Sequence, residues 1–114
     1  MTLEELLSAH AWERPKGSPT LAPQEVAELM PLVPGWELSD DGKAIVMKRR
    51  CEGFTEAVET LNKVTPLAET EDHHPDVRVY SYRWLELLFS THSLGGLTTN
   101  DFILAAKINR LLET

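Results

Sequence analysis

Apolar positions in this chain recur first with a helical spacing, then with that of strands, and the two alternate. Leu3, Leu6 and Leu7 open a short helix-like stretch that dissolves into Pro15, Gly17, Ser18 and Pro19, so residues 1–19 read as an appendage and linker ahead of a domain spanning 20–114. In PQEVAELM, Val26, Leu29 and Met30 share one face, and Pro23 stands where a missing N–H costs least. The prolines of 31–34 then end that helix. Pro34-Gly35 and Asp41-Gly42 bracket GWELSD and precede KAIVMKRR, which predicts two strands joined by a tight hairpin. Phe54, Ala57, Val58, Leu61, Val64 and Ala68 then follow the 3.6-residue period over four turns. Pro66 predicts a kink, or an end near Val64. The run VRVYSYRWLELLFST over 77–91 is β-branched and aromatic but too long for one strand, so a turn is expected at 81–83. After Gly95-Gly96, Thr98 and Asp101 form a capping-box pattern. Leu104, Ala105, Ile108, Leu111 and Leu112 give a last amphipathic helix, and no internal repeat is visible.

The order helix, strand, strand, helix, strand, strand, helix predicts an α+β fold: a four-stranded antiparallel sheet with helices packed on one face. A sheet covered on one side leaves a face and edges to be managed, and pairing of identical chains as a homodimer or homotetramer would do so. At 114 residues, 42% hydrophobic and 25% charged, the chain has the material for one core and is not compositionally disordered. Eleven basic against eighteen acidic residues leave a net charge of -7, which repels a phosphate backbone and argues against direct nucleic-acid binding. The single cysteine, Cys51, excludes an internal disulfide and a Cys-rich zinc site. With no apolar run long enough for a membrane span and no basic leader at the start, a soluble cytoplasmic protein is expected.

Three of the four histidines, His73, His74 and His92, fall at the ends of expected elements, where sites are usually built. His10 lies in the appendage and receives no role. Imidazole exchanges protons near neutral pH, and the neighbouring acids Glu69, Glu71 and Asp72 favour its protonated form, which suits a general acid. Glu69 lies four residues before His73, so the two would face the same way if the helix continues, with His74 pointing elsewhere. That acidic run offers no cationic clamp for a phosphate, so an uncharged ligand is expected. Plainer readings stand beside these: a solvated His-His turn, a purely capping Asp101, and Trp36, Tyr80, Tyr82 and Trp84 as core or interface residues. Glu69, His73 and His92 also make a possible two-histidine, one-carboxylate metal set.

Taken together, AETEDHHP over 68–75, Tyr82, Ser90-Thr91-His92 and GGLTxxD over 95–101 resemble the pterin-4a-carbinolamine dehydratase family. Upstream, LxPQEV, Pro34-Gly35-Trp36, GFTEA over 53–57 and LNKV over 61–64 fall in the family's order. The chain departs from it at Val77, where many members carry an aromatic residue, and at Arg83, where Asn is common. The resemblance implies an αββαββα fold and removal of water from 4a-hydroxytetrahydropterin to give the quinonoid dihydropterin, recycling the cofactor of aromatic amino-acid hydroxylases with no metal or cofactor of its own. It further implies His73 and His92 as proton-transfer groups, His74 as a ligand to the pterin ring and Glu69 and Asp101 as supporting residues. The backbone around Ser90 and Thr91 would meet the pyrimidine edge. Animal members also serve as dimerisation cofactors of a homeodomain transcription factor, so a non-catalytic partner protein of the same fold is the other function implied.

Overall fold

In the computed structural model, which describes residues 1–113, helices α1 (Leu3–Ser8) and α2 (Pro23–Leu29) precede strands β1 (Trp36–Leu38) and β2 (Ile45–Arg50). The long helix α3 (Phe54–Glu71), strands β3 (Asp76–Tyr80) and β4 (Trp84–Phe89) and helix α4 (Thr99–Leu112) follow. All strand pairs are antiparallel in the order β1-β2-β4-β3, so the α+β architecture expected from the periodicity is present. None of the described helices is long and apolar enough to cross a membrane.

Strand alternation decides which face is covered. Leu85, Leu87 and Phe89 of β4 are fully buried, and β2 sets Met47 and Ile45 opposite the last two. Phe102, Leu104 and Ile108 of α4 and Ala57 and Val64 of α3 close over them, each large side chain contributing about 1.5–3 kcal/mol of burial. The opposite face carries Glu86 between Lys48 and Arg78, at 4.0 and 3.7 Å, and Trp84 stacked on Tyr80. Such exposed ion pairs stabilise little.

Four local expectations are refined by the structure. Helix α3 passes through Pro66 and ends only at Glu71; Asn62 and Pro66 both lie on its exposed side, where the carbonyl left without its N–H is not shut into the core. Its buried stripe is Ala57, Thr60, Val64, Ala68 and Glu71, whereas Phe54 and Val58 are 59% and 36% exposed. The β1–β2 connection is a longer loop in which the Ser39 N–H reaches the Ala44 carbonyl at 2.9 Å, and Asp41 accepts from the Lys43 N–H and the Ser39 hydroxyl. The turn at 81–83 is tight: Ser81 and Tyr82 both take left-handed backbone, φ 46° and 52°, the pairing that suits the twist of the flanking strands.

The first nineteen residues, read from sequence as an appendage, lie on the domain. Thr2 and Glu5 form a capping box for α1, whose Leu6 is fully buried against α4. Leu6→Ala is therefore expected to cost about 2–4 kcal/mol. Urea denaturation measures this; an unchanged midpoint would mean that α1 adds nothing to the core.

Candidate functional site

The loops 72–75 and 90–98 lie at one end of the sheet and carry all three candidate histidines. Asp72 ends α3 in left-handed backbone, φ 50° and ψ 42°, and the His73 N–H turns back to the Ala68 carbonyl. This reversal breaks the helical spacing, so the expected Glu69–His73 pairing does not form. His73 turns inward, and His74 instead places Nε2 3.0 Å from Glu69 Oε2. The second loop is closed by pairing of Thr91 with Gly96, whose Cα approaches Thr20 so closely that a Cβ there would lie 3.0 Å from its methyl group.

Asp101 organises the interior of this end. The carboxylate is fully buried; Oδ2 accepts from the Thr98 N–H at 2.9 Å and the Thr91 hydroxyl at 3.0 Å, and Oδ1 lies 2.6 Å from His73 Nε2. It therefore caps α4 and holds a histidine at once. Because a carboxylate only accepts, Nε2 is the nitrogen that carries a proton in this contact, which in the neutral ring leaves the lone pair on Nδ1. Phe89 stacks under the His73 ring, with centroids 5.7 Å apart and planes 11° from parallel. His73 opens on a cavity of 260 Å³ bordered also by Asp72, Thr91, Ser93, Asn100 and, from the N-terminal segment, Trp12, Glu13 and Arg14.

His74 and His92 turn into other concavities. With Glu69, His74 borders an apolar groove of 170 Å³ formed by Leu61, Val64, Ala68, Pro75 and Val77. His92 is 63% exposed, lies 3.4 Å from Asp76 and borders a hollow shared with Ser90, Lys43 and Gly95. Glu69, His73 and His92 thus face three different partners, so the metal set considered above does not assemble. Among the described residues, no three His, Cys, Asp or Glu side chains cluster to hold a metal. The Ser90 hydroxyl donates to the Lys43 carbonyl at 2.7 Å, and the Thr91 backbone spends its N–H on Gly96 and its carbonyl on Leu94 and Gly95.

Two residues escape a reading by sequence. Glu71, grouped above with the acids beside the histidines, points away from them. It accepts from the Ala11 N–H at 2.8 Å and Lys107 Nζ at 3.2 Å, with His10 Nδ1 2.9 Å away. Its signal was its place on the buried stripe of α3. Arg14, in a segment without periodicity, brings a cation to the His73 cavity, contrary to the expectation that none is present.

Burial by itself would push the Glu71 carboxyl up. Hydrogen bonds from His10, Ala11 and Lys107, with the Lys107 charge, outweigh it and hold the group below its ordinary value of 4.5. A depressed carboxylate stabilises fully above its unfolded-state value and loses that contribution as pH falls through the lower folded-state value. Acid titration of the melting temperature below about pH 5 should therefore fall more steeply for the wild type than for Glu71→Gln. Parallel curves would remove Glu71 from the acid response.

Fold and dyad together describe a small α+β protein with a histidine–carboxylate pair at the edge of a cavity. The sequence profile described as Pterin 4 alpha carbinolamine dehydratase matches residues 19–111. A Xylella fastidiosa (strain 9a5c) protein, provisionally named pterin-4-alpha-carbinolamine dehydratase, is 42% identical over 108 residues, 95% of this chain and 92% of its own. One from Stenotrophomonas maltophilia (strain R551-3), named in the same way, is 44% identical over 93 residues, 82% of this chain and 79% of its own. A crystal structure of a transcriptional coactivator/pterin dehydratase from Brucella melitensis superposes with a TM-score of 0.76 at 27% identity, covering 83% of this chain and 100% of that one. The chain belongs to the pterin-4-alpha-carbinolamine dehydratase family, a family of hydro-lyases.

Proposed function

We propose that this protein dehydrates 4a-hydroxytetrahydropterin to the quinonoid dihydropterin by histidine acid–base catalysis, in the recycling of tetrahydropterin. The observation that carries this reading is the buried Asp101–His73 dyad opening on a cavity. The reaction breaks the C4a–O bond, forms the C4a–N5 double bond and releases water, so it requires one proton given to the departing hydroxyl and one taken from N5. His73 takes the N5 proton on Nδ1, with Asp101 holding the tautomer that leaves this nitrogen basic. His92, exposed on the adjoining loop beside Asp76, gives or relays the proton to the hydroxyl. For His74, which Glu69 holds in a groove separate from the His73 cavity, a role in steadying the ring rests on the family resemblance alone. Thr91 supports Asp101 and Ser90 fixes the loop, leaving the pyrimidine edge to backbone groups that the loop itself does not use.

The test generates 4a-hydroxytetrahydropterin and follows its dehydration with and without this protein. Acceleration supports the reading, and a rate equal to the spontaneous one overturns it. Because Asp101 also caps α4, the rate measurement and not the dyad by itself separates this reading from a non-catalytic partner role. We infer, too, that the chain assembles as a homodimer or homotetramer, since β1 and β3 are both sheet edges with unpaired backbone. Sedimentation equilibrium showing only monomer at micromolar concentration would contradict this.

A further inference from the structure

We propose that the N-terminal segment forms the outer wall of the His73 cavity and that Arg14 binds the substrate there, donating to the ring carbonyl oxygen of the pterin. The proposal rests on the dehydratase reading for the identity of the ligand and on separate residues for its argument. Trp12, Glu13 and Arg14 border the same cavity as His73, yet they precede the stretch matched by the family profile, residues 19–111.

Their position is held at several points. Asn100, in the first turn of α4, accepts from the Trp12 N–H at 3.3 Å and donates to the Trp12 carbonyl at 2.7 Å, a two-way bond like that between neighbouring strands. The Ala11 N–H is held by Glu71. The guanidinium of Arg14 lies over the Trp12 ring, 4.3 Å from its centroid, and its Nη2 donates to Thr99 Oγ1 and, at 3.2 Å, to Asn100 Oδ1. That fixes one nitrogen. Nε is the one buried side-chain nitrogen or oxygen among the described residues without a hydrogen-bond partner.

Folded proteins leave few buried donors unpaired, because each costs free energy unless something supplies an acceptor. Arg14 is half-buried, anchored on one side, and at the edge of a cavity that His73 also borders. A pterin ring offers the complement: its ring carbonyl oxygen stands on the carbon next to C4a, beside N5, so Arg14 at the oxygen and His73 at N5 would converge on neighbouring atoms from two borders of the same cavity. The cavity is small beside the roughly 300–1,000 Å³ common for ligand sites, which suits a compact ring. A cation tethered over an aromatic face with donors left over is a fork for an oxygen acceptor, and it sits where the net charge of -7 would not predict one.

The test compares wild type with Arg14→Ala, Arg14→Lys and Asn100→Ala, each checked for folding by circular dichroism, in steady-state dehydration and in equilibrium binding of 7,8-dihydrobiopterin, an unreactive ring with the same carbonyl. Loss of a charged hydrogen bond to the ring should raise KM and the dihydrobiopterin Kd about tenfold to a hundredfold for Arg14→Ala, with kcat within about threefold. Arg14→Lys should recover part of the loss. Asn100→Ala, which frees the segment, should resemble Arg14→Ala, and the double variant should be no worse than the more affected single one. If wild type is active but KM and Kd are unchanged in Arg14→Ala, the proposal is wrong and Arg14 only ties the segment down. If wild type is inactive, the dehydratase reading fails separately, and dihydrobiopterin binding alone decides: an Arg14-dependent Kd keeps the wall, while no binding or an unchanged Kd removes it.

Discussion

Asp101→Asn is expected to lower kcat for carbinolamine dehydration by about 10²- to 10⁴-fold while leaving the chain folded. The carboxylate serves two sets of donors: the Thr98 N–H and Thr91 hydroxyl on Oδ2, and His73 Nε2 on Oδ1. An amide has only one oxygen. The helix end requires that oxygen to face Thr98, since an NH₂ there would meet another donor at the cap. The NH₂ group is then turned toward His73 and requires a lone pair on Nε2. The proton moves to Nδ1, the nitrogen that has to accept one from the substrate. The same replacement in the serine-protease triad lowers kcat about 10⁴-fold by forcing the wrong tautomer. Because the cap survives, the melting temperature should change little, separating this variant from a general loss of structure. Retention of kcat within threefold would show that the dyad is a structural cap and that proton transfer belongs elsewhere. His73→Ala should reach a similarly low kcat without touching the cap.

The largest loss of stability is expected from Phe89→Ala. Phe89 is fully buried at the end of the central strand β4, with Trp36 on one side at 5.7 Å and the His73 ring stacked on the other. Removing it deletes a ring in contact with both, and a rigid sheet cannot close the gap. Such truncations cost about 3–5 kcal/mol, and at roughly 4 °C per kcal/mol for a domain of this size the melting temperature should fall by about 12–20 °C. Leu88→Ala, on the adjacent but half-buried position facing the open side of the sheet, should cost clearly less. Equal losses at 88 and 89 would mean that the open face is covered in solution. Phe89→Leu keeps most of the volume but removes the flat platform, so its effect should be larger on kcat than on stability.

Much of this architecture was legible because it is written in local patterns. The Thr98–Asp101 cap, Pro23 at a helix start and the turn at 81–83 follow from short-range chemistry that any tertiary setting must respect. The histidines were locatable for the same reason, since they punctuate element ends. What could not be read was which way each ring turns. That depends on a single left-handed residue, Asp72, which rotates the chain so that His74 rather than His73 meets Glu69. Aspartate tolerates that backbone without announcing it. The roles of Glu71 and Arg14 were hidden by sequence distance: Glu71 meets residues 10 and 11, and Arg14 meets 99 and 100. The prolines and glycine that made residues 1–19 look like a tether describe its conformation, and its partners lie across the molecule.

Those partners also set a timetable. Synthesis proceeds from the N-terminus, at about 5–20 residues per second, so the segment bearing Leu6, Trp12 and Arg14 leaves the ribosome before the residues it docks against. Asn100, which brackets Trp12 from 88 positions away, and Lys107, which completes the Glu71 cluster, are made only after all four strands. The sheet can pair and α3 can settle while the leading segment is still unattached, with its apolar Leu6 in water. The N-terminal border of the cavity is thus placed late, and docking it is a step that must wait for α4.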